Sequence, residues 1–250
     1  MDVRSGPAVG RPPMADRART WDLVAAVAGV LVIVFFVASF FTPGTPTAEN
    51  TADVIADELT VDRSGHQWAL LLGMLADVAL LVFLAGLWSR FRRWEGMGGM
   101  FAGLFAIAGA AFSALSLASQ GFYVALVQAP AVQVVDSGQA LDPTALPALA
   151  VLNDWAGATI LPAGIAMFLG AAGAILTTRA LPAWLGWLAA LTAVLLLVSL
   201  AGIFEDPTDE GVLSIAGFIG FILLLVWLLA TSVVLLLRTS RSPEVTPAVP

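Results

Sequence analysis

The chain lacks cysteine altogether, which excludes disulfides, thiolate metal sites and iron–sulfur clusters. Lysine is missing too. All 11 basic residues are arginine, so neither a lysine Schiff base nor a P-loop is available. Histidine occurs once, at His66, and one imidazole supplies neither a bis-histidine haem nor an H-E-x-x-H zinc site. Charge is also scarce: 12% of residues are charged, against roughly 25% in a soluble domain. Apolar residues make up 59% of the chain and mean hydropathy is +0.92. This is the composition of an integral membrane protein. Nothing in it points to a cofactor, a catalytic metal or a nucleic-acid partner.

What is present is a series of long apolar runs. Residues 1–20, with Pro7, Pro12, Pro13 and four arginines, read as a disordered tail. Spans are expected at 21–41, 66–88, 97–127, 149–178, 181–204 and 212–237, and residues 238–250 form a second disordered tail. The first run exceeds the ~7–15 apolar residues of a signal peptide, so it reads as an uncleaved anchor. Residues 52–61 carry Val54, Ile55 and Leu59 on a thin apolar edge and read as a short helix at the membrane surface. Arg90, Arg92, Arg93 and Glu95 are expected to form a tight basic turn. Pro130, Asp136, Asp142, Pro143 and Pro147 mark a loop, and Pro162 should kink span four. A spanning segment must satisfy its own backbone, and the runs lack the alternation of a barrel. The fold class is therefore all-α: one integral membrane bundle of six transmembrane helices over residues 21–237.

Arginine placement gives an orientation. With the N-terminus inside, the cytoplasmic segments collect every arginine except Arg63, while the outer loops hold the acidic residues, including Glu205–Glu210. Six spans with both termini in the cytoplasm (N-in/C-in) fit every loop. Trp21, Trp88, Trp94, Trp184 and Trp187 mark the inner interface; Trp68, Tyr123, Trp155 and Phe204 mark the outer one. Arg90, Arg92 and Arg93 are expected to touch anionic lipid headgroups.

One ionisable residue lies deep in a span. Asp77 is eleven residues below the outer end of span two, roughly 16 Å at 1.5 Å per residue. A carboxyl at that depth should face protein or water rather than lipid. His66 and Gly73 share its helical face. The antiparallel third span carries Ser113, Ser116, Gln120 and Tyr123 as a polar stripe in its outer half, and the fourth brings Asn153 and Asp154 from outside. Two readings follow. In one, the three helices frame an outward-facing polar cavity, with Asp77 at the floor as a proton relay and Gln120, Tyr123, Asn153 and Asp154 at the mouth. In the other, Asp77 bonds to Ser113 or Ser116 and only locks two helices together. His66, Asp62 and Asp154 make a poor, solvent-open metal set. No serine is paired with a base, so an enzyme is disfavoured. Small residues at Gly99/Gly103, Ala106/Ala110/Ala114/Ala118 and Ala166/Gly170/Ala174 mark spans three and four as a close central pair or a dimer surface.

The start of the penultimate span reads Arg179-Ala-Leu-Pro182-Ala-Trp184-Leu-Gly186-Trp187. With the layout of an anchor, an outer amphipathic segment and a hairpin, it resembles uncharacterised bacterial membrane proteins of a domain-of-unknown-function class. The resemblance implies the same topology and brings no catalytic residue. The expected function is that of an accessory or structural/interaction protein of the bacterial cytoplasmic membrane. Its partners would be membrane lipids, other membrane proteins or a second copy. The alternative is a small-solute or proton-linked carrier or receptor built on the Asp77 cavity.

Overall fold

A computed structural model describes residues 14–47, 49–96, 98–135, 145–204 and 211–240. Seven helices follow in order: α1 (Met14–Ser39), α2 (Ala52–Val61), α3 (Arg63–Glu95), α4 (Met100–Val135), α5 (Ala145–Thr178), α6 (Ala183–Leu200) and α7 (Val212–Ser240). A 3₁₀ turn, Ala201–Phe204, ends α6. All except α2 are long and apolar enough to cross a membrane, giving six candidate spans in an all-α bundle.

Helix ends depart from hydropathy ends, because hydropathy marks the lipid zone and not the last hydrogen-bonded turn. Helix α1 begins at Met14, inside the segment expected as a tail, and α7 continues to Ser240. The arginines expected in a turn belong instead to the end of α3. Arginine is a good helix former, and cations are favoured at a helix C-terminus. The reversal itself uses Gly96 (φ 73°) and Gly98 (φ 98°), a left-handed backbone that glycine adopts at no steric cost. Pro147, expected in a loop, occupies the first turn of α5, where its missing N–H has no helical partner to lose. The expectations for residues 1–13, Asp136, Asp142, Pro143, Glu205–Glu210 and residues 241–250 fall outside the described residues.

The six long helices form a closed ring in the order α1, α3, α4, α5, α6, α7, with α7 returning to pack on α1. Large side chains fill its centre. Trp227 of α7 is fully buried, meets Phe83 of α3 and Phe168 of α5 edge-on, and donates its indole N–H to the Leu185 carbonyl of α6 at 3.0 Å. Phe91 and Phe105 make a second edge-on pair toward the arginine-rich end. The α4–α5 seam rests on Gly170, where a Cβ would fall 2.6 Å from the backbone N of Phe105. Of the alanine stripe expected at this seam, Ala110, Ala114 and Ala118 are exposed. The closely packed face carries Ala102, Phe105 and Ala108 instead. Helix α2 packs across α3, α4 and α5 at the opposite end, burying Ile55 and Leu59 one turn apart; Val54 stays exposed.

At the arginine end four segments are tied together. Arg90 of α3 pairs with Asp22 of α1 and donates Nε and Nη2 to the Ala180 carbonyl at 3.2 and 3.1 Å. Arg93 reaches the other Asp22 oxygen at 3.0 Å, and Arg238 of α7 donates to the same Ala180 carbonyl at 3.1 Å. That carbonyl lies in the α5–α6 turn next to Arg179, which adopts a left-handed φ of 58°. Arg90 is buried, so the lipid contact expected of it is replaced by this clamp. Arg92 lies over the Trp88 ring, 5.6 Å from its centroid.

Arg90→Met strips the clamp of its centre but leaves Asp22 with Arg93 and the Ala180 carbonyl with Arg238, so it should cost about 1–3 kcal/mol in a detergent unfolding titration. Asp22→Asn keeps the Arg90–Ala180 bonds but leaves the buried Arg90 charge without its counterion, so it should cost more, about 3–5 kcal/mol. Gly170→Ala should destabilise by about 1–3 kcal/mol by driving α4 from α5. Gly103→Ala, where a Cβ meets nothing within 4 Å, is the control and should be neutral or stabilising.

Candidate functional site

Helices α3 and α4 run antiparallel in a register that places Gly73 against Gln120, Asp77 against Ser116 and Leu84 against Gly109. The Gly73 pairing is close: a Cβ there would meet the Gln120 amide, which would have to swing aside. One turn deeper, Ser116 donates its hydroxyl to Asp77 Oδ1 at 2.7 Å, joining the two helices. Asp77 is 6% exposed, so its carboxyl faces protein and not lipid, as its depth required. Its second oxygen and the Ser113 hydroxyl are buried with no hydrogen-bond partner.

Above this level a cleft of about 360 Å³ opens toward α2. Gly73 and Ala76 of α3, Ser119, Gln120 and Tyr123 of α4, and Asn153 of α5 line it, together with Phe35, Phe36, Ser39 and Thr42 at the end of α1. Of the residues expected at a cavity mouth, Gln120, Tyr123 and Asn153 line this cleft. The sequence missed the wall contributed by α1 and by the following segment Pro43–Thr45. Asp77, Ser113 and Ser116 are not lining residues: the floor stops at Ala76, and the carboxyl is sealed behind it. Asp154 is exposed and does not line the cleft.

A second hollow, about 520 Å³, lies between Pro43–Thr47 and α2 and is lined by Asp57, Glu58, Asp62 and His66. Within it Asp62 caps α3 by accepting from the Gly65 N–H at 3.2 Å. His66 is 2% exposed and shares a 2.7 Å hydrogen bond with the Tyr123 hydroxyl, so this pair stands between the two hollows. Tyr123 was expected as an interfacial anchor. Its buried ring instead packs with Leu126, Val127, Ile55 and Leu59 beneath α2. Arg63 is turned away, donating to Gln128 at 2.9 Å. Among the described residues His66, Asp62 and Asp154 do not converge into a metal-ligating group. The arrangement therefore offers amide and hydroxyl groups around an apolar-walled cleft, with carboxylates in the neighbouring hollow.

The Asp77–Ser116 bond is the testable element. Ser116→Ala removes the donor and should cost about 1 kcal/mol, within the range measured for interhelical hydrogen bonds in membranes. Asp77→Asn keeps an acceptor for Ser116 and should change stability by less. A double-mutant cycle on the two positions isolates the coupling.

Comparison with known proteins agrees with this architecture. The family model described as Domain of unknown function (DUF4386) matches residues 23–231, a stretch that includes both polar hollows and part of each of the six spans. No curated protein and no solved structure matches the chain. With most of its length covered by that model and six membrane-crossing helices in its fold, the chain belongs to the DUF4386 family, whose function is unknown.

Proposed function

We propose that this is a bacterial cytoplasmic-membrane protein with both chain ends in the cytoplasm. It acts by contact with lipids, other membrane proteins or a second copy of itself, and not by catalysis or transport. The observation that carries the reading is the sealed floor of the polar cleft. Asp77 is bonded to Ser116 and lies outside the lining, and beyond it the ring is plugged by Phe83, Trp227 and Phe168. A carrier must expose its site to each side in turn. Here one end is a shallow binding hollow and the other an interlocked arginine cluster. The orientation rests on arginine bias: Arg90, Arg92, Arg93, Arg179 and Arg238 gather at one end, opposite α2. The bacterial setting rests on the resemblance in layout.

The absence of cysteine makes single-cysteine labelling direct. Thr47→Cys, on the α2 side, should react with a membrane-impermeant maleimide in intact cells. Trp94→Cys, exposed at the arginine end, should react only after permeabilisation. The reverse pattern would invert the topology. Ser113→Cys, 1% exposed, should stay unreactive from both sides; labelling from the arginine side would establish alternating access and defeat the contact reading.

A further inference from the structure

Helix α1 packs on α3 and α7 but, among the described residues, not on α4 or α5. The cleft occupies the space that separates them at the α2 end. Phe35, Ser39 and Thr42 of α1 form one wall, and Ser119 and Gln120 of α4 with Asn153 of α5 form the other. It is therefore the mouth of the ring and not a lipid-facing groove. Its volume, about 360 Å³, lies within the ~300–1,000 Å³ of small-molecule sites.

The two walls differ in what their polar groups can still offer. On the α1 side both hydroxyl protons are committed: Ser39 donates to the Phe36 carbonyl and Thr42 to the Ser39 carbonyl, each at 2.6 Å. Those two oxygens can then only accept. On the other side the Ser119 hydroxyl and the Gln120 and Asn153 amides have no hydrogen-bond partner among the described residues, so each can both donate and accept. Among the described residues no charged side chain lines the cleft, and the Tyr123 hydroxyl is shared with His66.

This inventory eliminates most ligand classes. An anion would find no cation and would meet the acceptor oxygens of α1. An ammonium would find no carboxylate and would leave the amide donors unused. Burying either charge unpaired is costly. A ring bearing only carbonyls brings no donor to α1. A hydroxyl supplies a donor and an acceptor together, and several on one ring answer both walls. We propose that the cleft binds a neutral, multiply hydroxylated ring, the chemistry of a sugar, either free or as the headgroup of a glycolipid. The inference does not rest on the contact reading, since a sugar above a sealed floor is held and not carried.

The test places the full chain in phosphatidylglycerol nanodiscs and follows its thermal unfolding midpoint by intrinsic fluorescence. One arm titrates the methyl glycosides of glucose, galactose and mannose. The other builds the nanodiscs with the corresponding monoglycosyl diacylglycerols, against plain diacylglycerol. At least one sugar should raise the midpoint and saturate. A rise in the first arm identifies a free sugar, and a rise in the second alone a headgroup. Gln120→Leu with Asn153→Leu should weaken binding about thirtyfold, as expected for two lost hydrogen bonds. Ser39→Ala with Thr42→Val, which removes the acceptors of α1, should weaken it as well. Gly44 lines the cleft and a Cβ there meets nothing within 4 Å, so Gly44→Trp should fold normally and abolish binding. Gly103→Ala should retain it. The proposal is overturned by no rise with any sugar, by a rise that survives Gly44→Trp, or by an equal rise with 2,3-dimethyl-1,4-benzoquinone, which carries no hydroxyl. The contact reading is judged separately, by Ser113 accessibility.

Discussion

Arg90 is the point at which the ring is closed. In lipid no hydrophobic force draws one apolar helix to another, so packing and polar contacts must supply the order. Arg90 brings α1, α3 and the α5–α6 turn to one place through Asp22 and the Ala180 carbonyl, and Arg238 adds α7. A buried guanidinium is costly unless its donors are used and its charge is offset. Here Nε, Nη1 and Nη2 all have acceptors. The clamp is thus more a constraint on geometry than a source of stability, because a charge buried this way tolerates no rearrangement of its partners.

That constraint divides the molecule. Toward the arginine end the interior is interlocked, with Phe91 against Phe105 and Trp227 held between Phe83 and Phe168. Toward α2 the same helices leave the cleft, and a ten-residue amphipathic helix packs on this end through two fully buried side chains, Ile55 and Leu59. Binding surfaces are drawn from the less tightly packed parts of a fold. The position of the hollows is therefore a consequence of where the ring is fastened.

Much of this was legible in the chain. Run length and the absence of alternation gave six helices, and the spacing of Ser113, Ser116, Gln120 and Tyr123 gave the polar face of α4. What failed did so for physical reasons. Hydropathy could not see that Arg90 is buried, because its charge is offset by Asp22, 68 positions earlier, and by a backbone carbonyl 90 positions later. Asp22 stands one residue inside an apolar run, and only the convergence of α1 and α3 gives it a meaning. Small-residue spacing identified Gly170 correctly but not the outward face of Ala110, Ala114 and Ala118, since spacing fixes a stripe and leaves its direction open. Tyr123 reads as a membrane anchor until α2 covers it.

Asp77 shows how a deep carboxyl can be structural while still shaping a site. Its bond to Ser116 sets the α3–α4 register, and that register brings Gln120 opposite Gly73, the one residue on that turn of α3 small enough to let the amide cross into the cleft. Shifting α4 by one turn would present Tyr123 or Ser116 to Gly73 and remove the amide from the lining. The cleft's chemistry therefore depends on a hydrogen bond that does not line it. The unpaired Asp77 Oδ2 and Ser113 hydroxyl sit just below it. The polar groups fall into a sequence along the membrane normal: fully engaged around Arg90, partly engaged at Asp77, and turned toward open space at Gln120 and Asn153.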